Sequence, residues 1–113
     1  MAYSTEGTLR FDGETSVSMG ASVTSDTIEV GNATIVMVQL YFKTGTSPTG
    51  TFVLQTSLNG TDFDDIDDSS QAITDVGTHT WDYFMPGAKY IRAKYTRASG
   101  SGTLSGRFFL KGV

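Results

Sequence analysis

The sequence predicts an all-β domain, a two-sheet antiparallel β-sandwich of about eight strands. Three observations lead there. Thr, Ser and Gly are abundant, Pro occurs only at Pro48 and Pro86, and strong helix formers are sparse. Short alternating or apolar stretches recur with turn residues between them, at a spacing suited to strands. Finally, Asn59-Gly60 lies between two such stretches, and Asn-Gly favours the left-handed backbone of a tight hairpin turn. A chain of 113 residues fits one domain spanning 1–113, with residues 1–8 expected as an extended N-terminal arm.

Taken in order, residues 9–12 form a short strand ended by Asp12-Gly13, and residues 15–22 alternate Val17, Met19 and Ala21 against serines. Residues 27–30 are a brief strand stopped at Gly31-Asn32. Residues 33–44 (ATIVMVQLYFKT) are apolar at nearly every position, as in a central strand covered on both faces; the β-branched and aromatic residues favour strand over buried helix. Residues 45–50 (GTSPTG) read as a loop, 51–57 as a strand, and 62–66 as its return across the Asn-Gly turn. Strands are expected at 72–76 and 78–84, the latter closed by Met85-Pro86-Gly87. The final pair is 89–97 and 103–111, joined by the flexible turn ASGSG.

Composition narrows the functional classes. There is no cysteine, which removes disulfides and thiolate metal sites. No apolar run nears the roughly 20 residues that span a bilayer, and the first residues carry neither a basic nor an apolar signal region. A soluble protein folding in the cytosol, without a membrane partner, is expected. All 12 acidic residues lie at or before Asp82, whereas Lys89, Arg92, Lys94, Arg97, Arg107 and Lys111 follow it. That basic segment is short and interrupted by apolar residues, unlike a nucleic-acid-binding arm, so no nucleic acid is expected. Outward Arg and Lys on two strands can instead meet acidic loops of the same molecule or of a neighbour.

Candidate chemistry is scarce. The run Asp62, Asp64, Asp65, Asp67, Asp68 offers hard oxygen donors, with Asp62, Asp64 and Asp67 as a calcium candidate. Its spacing departs from an EF-hand loop, lacking the sixth-position Gly and the final Glu, and a solvated hairpin protected by charge is the competing reading. His79 is the only histidine and sits in Thr-His-Thr without an evident partner, so a surface position is expected. With no acid–base pair, nucleophile or phosphate-cradling glycine motif, no catalytic residue and no cofactor are assigned, and the chain is not expected to be an enzyme. Trp81, Tyr83, Phe84 and Tyr90 cluster around one turn. They either fill the core or expose an aromatic platform, with Trp81 and Tyr83 as the glycan-binding candidates.

The segment 50–66 (GTFVLQTSLNGTDFDDI) resembles the strand–turn–strand of discoidin-like, galactose-binding-fold domains, and 88–96 (AKYIRAKYT) is similar to a later strand of those domains. The stretch 50–112 is also similar to small proteins of tailed-bacteriophage structural gene clusters, through G-T-F-x-L-Q-x-S-x-N-G and Y-T-x-x-S-G-x-G-T-L. The resemblance implies a jelly-roll or galactose-binding-like sandwich and a virion accessory role. That role is a capsid decoration (cement) protein on the capsid surface, assembled in the host cytoplasm and bound to the major capsid protein. The alternative is a receptor- or carbohydrate-binding module of a tail or head fibre. Phe63 stands where these hairpins commonly carry Trp, and the loops are short for a sugar site. Lys89, Arg92, Lys94, Arg97 and Arg107, on the strand pair 89–97 and 103–111, are the candidate partner contacts. A homotrimer is the expected oligomer.

Overall fold

The computed structural model describes residues 3–112. It is all-β, with no helix among the described residues. Nine strands follow in chain order: β1 (Tyr3–Leu9), β2 (Val17–Ser18), β3 (Val23–Thr24), β4 (Ile28–Glu29), β5 (Ile35–Ser57), β6 (Asp64–Asp65), β7 (Gln71–Ile73), β8 (Gly77–Phe84) and β9 (Tyr90–Gly112). β5 and β9 pair antiparallel along nearly their whole lengths, from Ile35↔Lys111 to Ser57↔Tyr90.

Each of these two strands has 23 residues, yet the longest dimension of the molecule is 45 Å. A straight strand of that length would measure about 75 Å at roughly 3.3 Å per residue. The ribbon therefore turns a corner. Its register slips between Tyr41 and Thr44, between Thr46 and Thr49, and between Thr49 and Gly50. Beyond the corner the strand folds back over itself, so that the Phe42 and Phe52 rings meet edge to face at 5.0 Å between centroids.

Two sheets result. In the first, β1 lies beside residues 106–112 of β9 and β2 beside 103–104, residues 105–111 of β9 pair with 35–41 of β5, and 35–42 of β5 pair with β8. In the second, β3 and β4 lie beside residues 90–97 of β9, which pair with 50–57 of β5, which pair with β6 and β7. Each half of a long strand counts as one strand, and so does each of the interrupted runs β3/β4 and β6/β7. The sheet orders are then first-eighth-third-sixth and second-seventh-fourth-fifth, the connectivity of a jelly roll. The expected two-sheet sandwich of about eight strands is the observed fold.

Three local expectations are corrected. Residues 45–50 and 98–102 are not loops but the corner of the continuous β5–β9 ribbon. Their Gly, Ser and Pro signals mark the bend rather than an end of pairing. Consequently 89–97 and 103–111 are not paired with each other; they are successive halves of β9 in opposite sheets. Of the expected arm 1–8, residues 1–2 lie outside the described residues and 3–8 belong to β1, whose residues 3–9 pair with 106–112, leaving that backbone committed to the sheet.

Between the sheets sit Val36, Val38, Leu40, Phe42, Phe52, Leu54, Trp81, Ile91, Tyr95, Leu104 and Leu110, all buried. Phe52 is the hub, with its ring centroid 5.3 Å from that of Tyr95 and 6.4 Å from that of Trp81. The corner is held from inside by Tyr95 Oη donating to the Thr49 carbonyl (3.1 Å) and from outside by the Thr49–Ser99 hydroxyl pair (2.6 Å).

Gly100, like Gly45 and Gly50, is a residue the corner cannot exchange. Its φ is +80°, and a Cβ there would collide with the Ser47 carbonyl oxygen on the facing strand. Gly100→Ala is therefore expected to lower unfolding free energy by about 1–3 kcal/mol, read as a fall in urea midpoint with unchanged slope; Ser101→Ala, at an exposed neighbouring position, should leave the midpoint within about 0.5 kcal/mol.

Candidate functional site

The basic candidates diverge. Arg92 and Lys94 face outward from the second sheet, where buried Ile91, Ala93 and Tyr95 alternate with them. Arg107 faces outward from the first sheet, beside buried Leu104, Gly106 and Leu110. Lys89 precedes β9 and is exposed, and Arg97 lies at the corner. Two of the five are engaged within the chain. Arg92 Nε donates to Gln55 Oε1 (2.8 Å), its guanidinium covers the Phe63 ring at 3.9 Å, and Gln55 Nε2 donates to Asp65 Oδ1 (2.8 Å). Arg97 donates through Nε and Nη2 to the Gly100 carbonyl at 3.1 and 2.9 Å, which secures the corner. The five residues are not one patch.

The aromatic candidates are inward-facing. Trp81 is 4 % exposed, and its Nε1 donates to the Ser69 carbonyl (2.8 Å); it is a core residue, not a sugar platform. Tyr83 is half-buried, with Oη donating to the Asp68 carbonyl (3.3 Å). His79 is half-buried rather than fully exposed: its ring stands edge-on to Trp81 at 4.8 Å, and Nε2 is buried without a hydrogen-bond partner. The acidic run does not converge either. Asp62 accepts from Asn59 Nδ2 (2.8 Å), Asp64 stands opposite Thr56, and Asp67 lies in the turn beyond. Among the described residues no group of three His, Cys, Asp or Glu side chains could hold a metal ion.

The pairing instead assembles a surface that the sequence did not single out, the outer face of the first sheet. Residues directly opposite across a ladder share a face. Glu6, Phe109, Met37 and Asp82 thus lie abreast over β1, β9, β5 and β8. The next rung is Ser4, Lys111, Ile35, Phe84, and on the other side comes Thr8, Arg107, Gln39, Thr80. Phe84 is 72 % exposed and Met37 37 %, with Ile35, Tyr41 and Phe109 half-exposed beside them. Gln39 fixes the floor, donating through Nε2 to Thr80 Oγ1 (2.9 Å) and accepting from Tyr41 Oη (2.6 Å). A shallow depression of about 160 Å³ opens between Glu6, Met37, Tyr41, Arg107 and Phe109.

The signal was present in residues 33–44. Their apolar character at nearly every position implied cover on both faces; the even positions 36, 38, 40 and 42 face the core, whereas 35, 37 and 41 face out. No second layer of this chain covers the outer side among the described residues. An apolar band flanked by Arg107 and Lys111, with Glu6 and Asp82 at the two sheet edges, has the makeup of a protein contact: an apolar centre and a charged rim.

No family model and no curated protein matches the chain. Solved structures do. The SPBc2 prophage-derived protein YomS is similar with a TM-score of 0.62 and 16 % identity, covering 98 % of this chain and 95 % of YomS. The PBSX exported protein XepA is similar with a TM-score of 0.51 and 11 % identity, covering all of this chain and 37 % of XepA. This chain thus spans little more than a third of XepA. At such identities the likeness establishes a shared fold.

Two outcomes follow from the placement of His79 and of the aspartates. Burial lowers the His79 pKa from its ordinary 6.5, so the unfolded chain takes up a proton more readily than the folded one. The contribution of neutral His79 is intact above about pH 6.5 and is lost as pH falls through the lower folded value. The thermal midpoint should decline over that range, and His79→Phe should flatten the decline. Calcium or a chelator should leave the midpoint of the native chain unchanged.

Proposed function

We propose that this chain is a structural protein of a tailed-phage virion: a decoration (cement) protein that binds the major capsid protein lattice and stabilises the head. The observation that carries the reading is the apolar band on the outer face of the first sheet. An antiparallel sheet left in water ordinarily alternates apolar-in with polar-out, and this one does not around Ile35, Met37, Phe84 and Phe109. Such a surface is stable in water when a partner covers it. The fold likeness to a protein derived from a prophage supports the phage setting, and the resemblance of residues 50–112 to phage structural proteins agrees with it.

The mechanism is linkage rather than catalysis. A protein that binds only the assembled lattice adds its binding free energy to the stability of that lattice. Apolar residues in the centre supply affinity, while Arg107, Lys111, Glu6 and Asp82 set orientation through charge matching. The carbohydrate-binding alternative has less support, since Trp81 is enclosed in the core.

Purified protein mixed with capsids lacking it should co-sediment and saturate at a fixed number of copies per particle, a count that also reports whether it binds as trimers. Phe84→Asp combined with Met37→Asp should weaken binding by about tenfold or more, as expected for central contact residues. Lys94→Glu, on the opposite sheet, should bind as the parent does. Absence of saturable co-sedimentation would overturn the proposal.

A further inference from the structure

We propose that a second surface, the groove between the 56–64 turn and the 85–88 turn, docks a basic, partly apolar segment of a partner protein. The groove is an open depression of about 520 Å³ lined by Leu58, Met85 and Ala88, with Asp62 and Asp64 beside them. No Lys or Arg lines it among the described residues.

Leu58 is 72 % exposed, and the turn that presents it is locked. Ser57 Oγ accepts from the backbone N–H groups of Asn59 (3.2 Å) and Gly60 (2.9 Å). Asn59 Oδ1 accepts from the N–H groups of Thr61 and Asp62, each at 2.8 Å. Gly60, with φ at +79°, lies against the Tyr90 ring. The opposite wall is tied down as well, by Met85 N–H donating to the Thr34 carbonyl (2.6 Å) and by packing of Met85 and Ala88 on the core. A leucine held out in water on a rigid turn loses little conformational entropy when a partner covers it, which is what preorganised contact residues share.

Charge selects the occupant. Two carboxylates beside an apolar wall repel acidic ligands and suit a long side chain with an aliphatic stem and a cationic head. The stem of a Lys or Arg lies on Leu58 and Met85 while its head reaches Asp62 or Asp64. A neighbouring aliphatic residue on the same segment completes the apolar contact. This surface is separate from the outer sheet face, so either proposal can fail alone.

The test is an amide chemical-shift titration of the full chain with acetyl-Leu-Arg-Leu-amide, and with acetyl-Leu-Glu-Leu-amide as its charge-reversed counterpart. The Arg peptide should give saturable shifts confined to 56–64 and 85–88. Its affinity should fall at least fivefold in Leu58→Ala and in the double variant Asp62→Asn, Asp64→Asn, and should weaken with added salt. Leu58 is exposed, so its variant is expected to fold, as the unchanged remainder of the spectrum would verify. Three results would overturn the proposal: no shifts in these segments, equal binding of the Glu peptide, or the same shifts on concentrating the protein alone, which would assign the groove to a second copy.

Discussion

Two 23-residue strands that turn a corner together hold this molecule in its shape. Because β5 and β9 each run through both sheets, the sandwich is not two separable layers but one ribbon folded on itself. The pairing must survive the bend, and it does so through register slips and glycines that let the two backbones approach. The slips also decide which residues face the core. β9 buries Ile91, Ala93 and Tyr95 before the corner but Leu104 and Leu110 after it, a change from odd to even positions. One residue of offset reverses the faces of a strand. Arg92 and Arg107 thus face solvent on opposite sheets.

The aromatic core is organised around the same corner. Phe42 and Phe52 come together because the ribbon folds between them, and Trp81 and Tyr95 close on Phe52 from the flanking strands. Each of these polar aromatics hands its hydrogen bond to a backbone carbonyl: Trp81 to Ser69 in the segment between β6 and β7, Tyr95 to Thr49 at the corner of β5. The 66–70 segment and the ribbon corner are thereby tied to the interior, and burying an indole N–H or phenol leaves no donor unsatisfied. His79 is the exception, with an unpartnered nitrogen among rings.

With the interior satisfied in this way, the unusual features lie outside. The outer face of the first sheet carries an apolar band where an isolated sandwich would be polar, and the far end carries Leu58 on a locked turn above two carboxylates. Both are built on hydrogen-bonded backbone, the first on the sheet ladder and the second on the Ser57–Asp62 turn. The surfaces differ in character, one mixed in charge around an apolar band and the other acidic beside an apolar wall.

The sequence by itself determined the class of fold. Alternation, β-branched residues and Asn59-Gly60 specify strands and a tight turn through local sterics, which operate wherever the chain is placed. It also determined that residues 35–42 carry apolar side chains on both faces. Only the tertiary structure decided that the outer of those faces has no cover, because burial depends on what the rest of the chain supplies. The glycines and Pro48 of 45–50, with Gly100 and Gly102, were legible as breaks in regularity. Whether a break ends a strand or bends it rests on the partner strand, and here the partner bends as well. The same long-range pairing divided the basic residues between two faces and placed Trp81 inside, since neither outcome is encoded within the few residues around them.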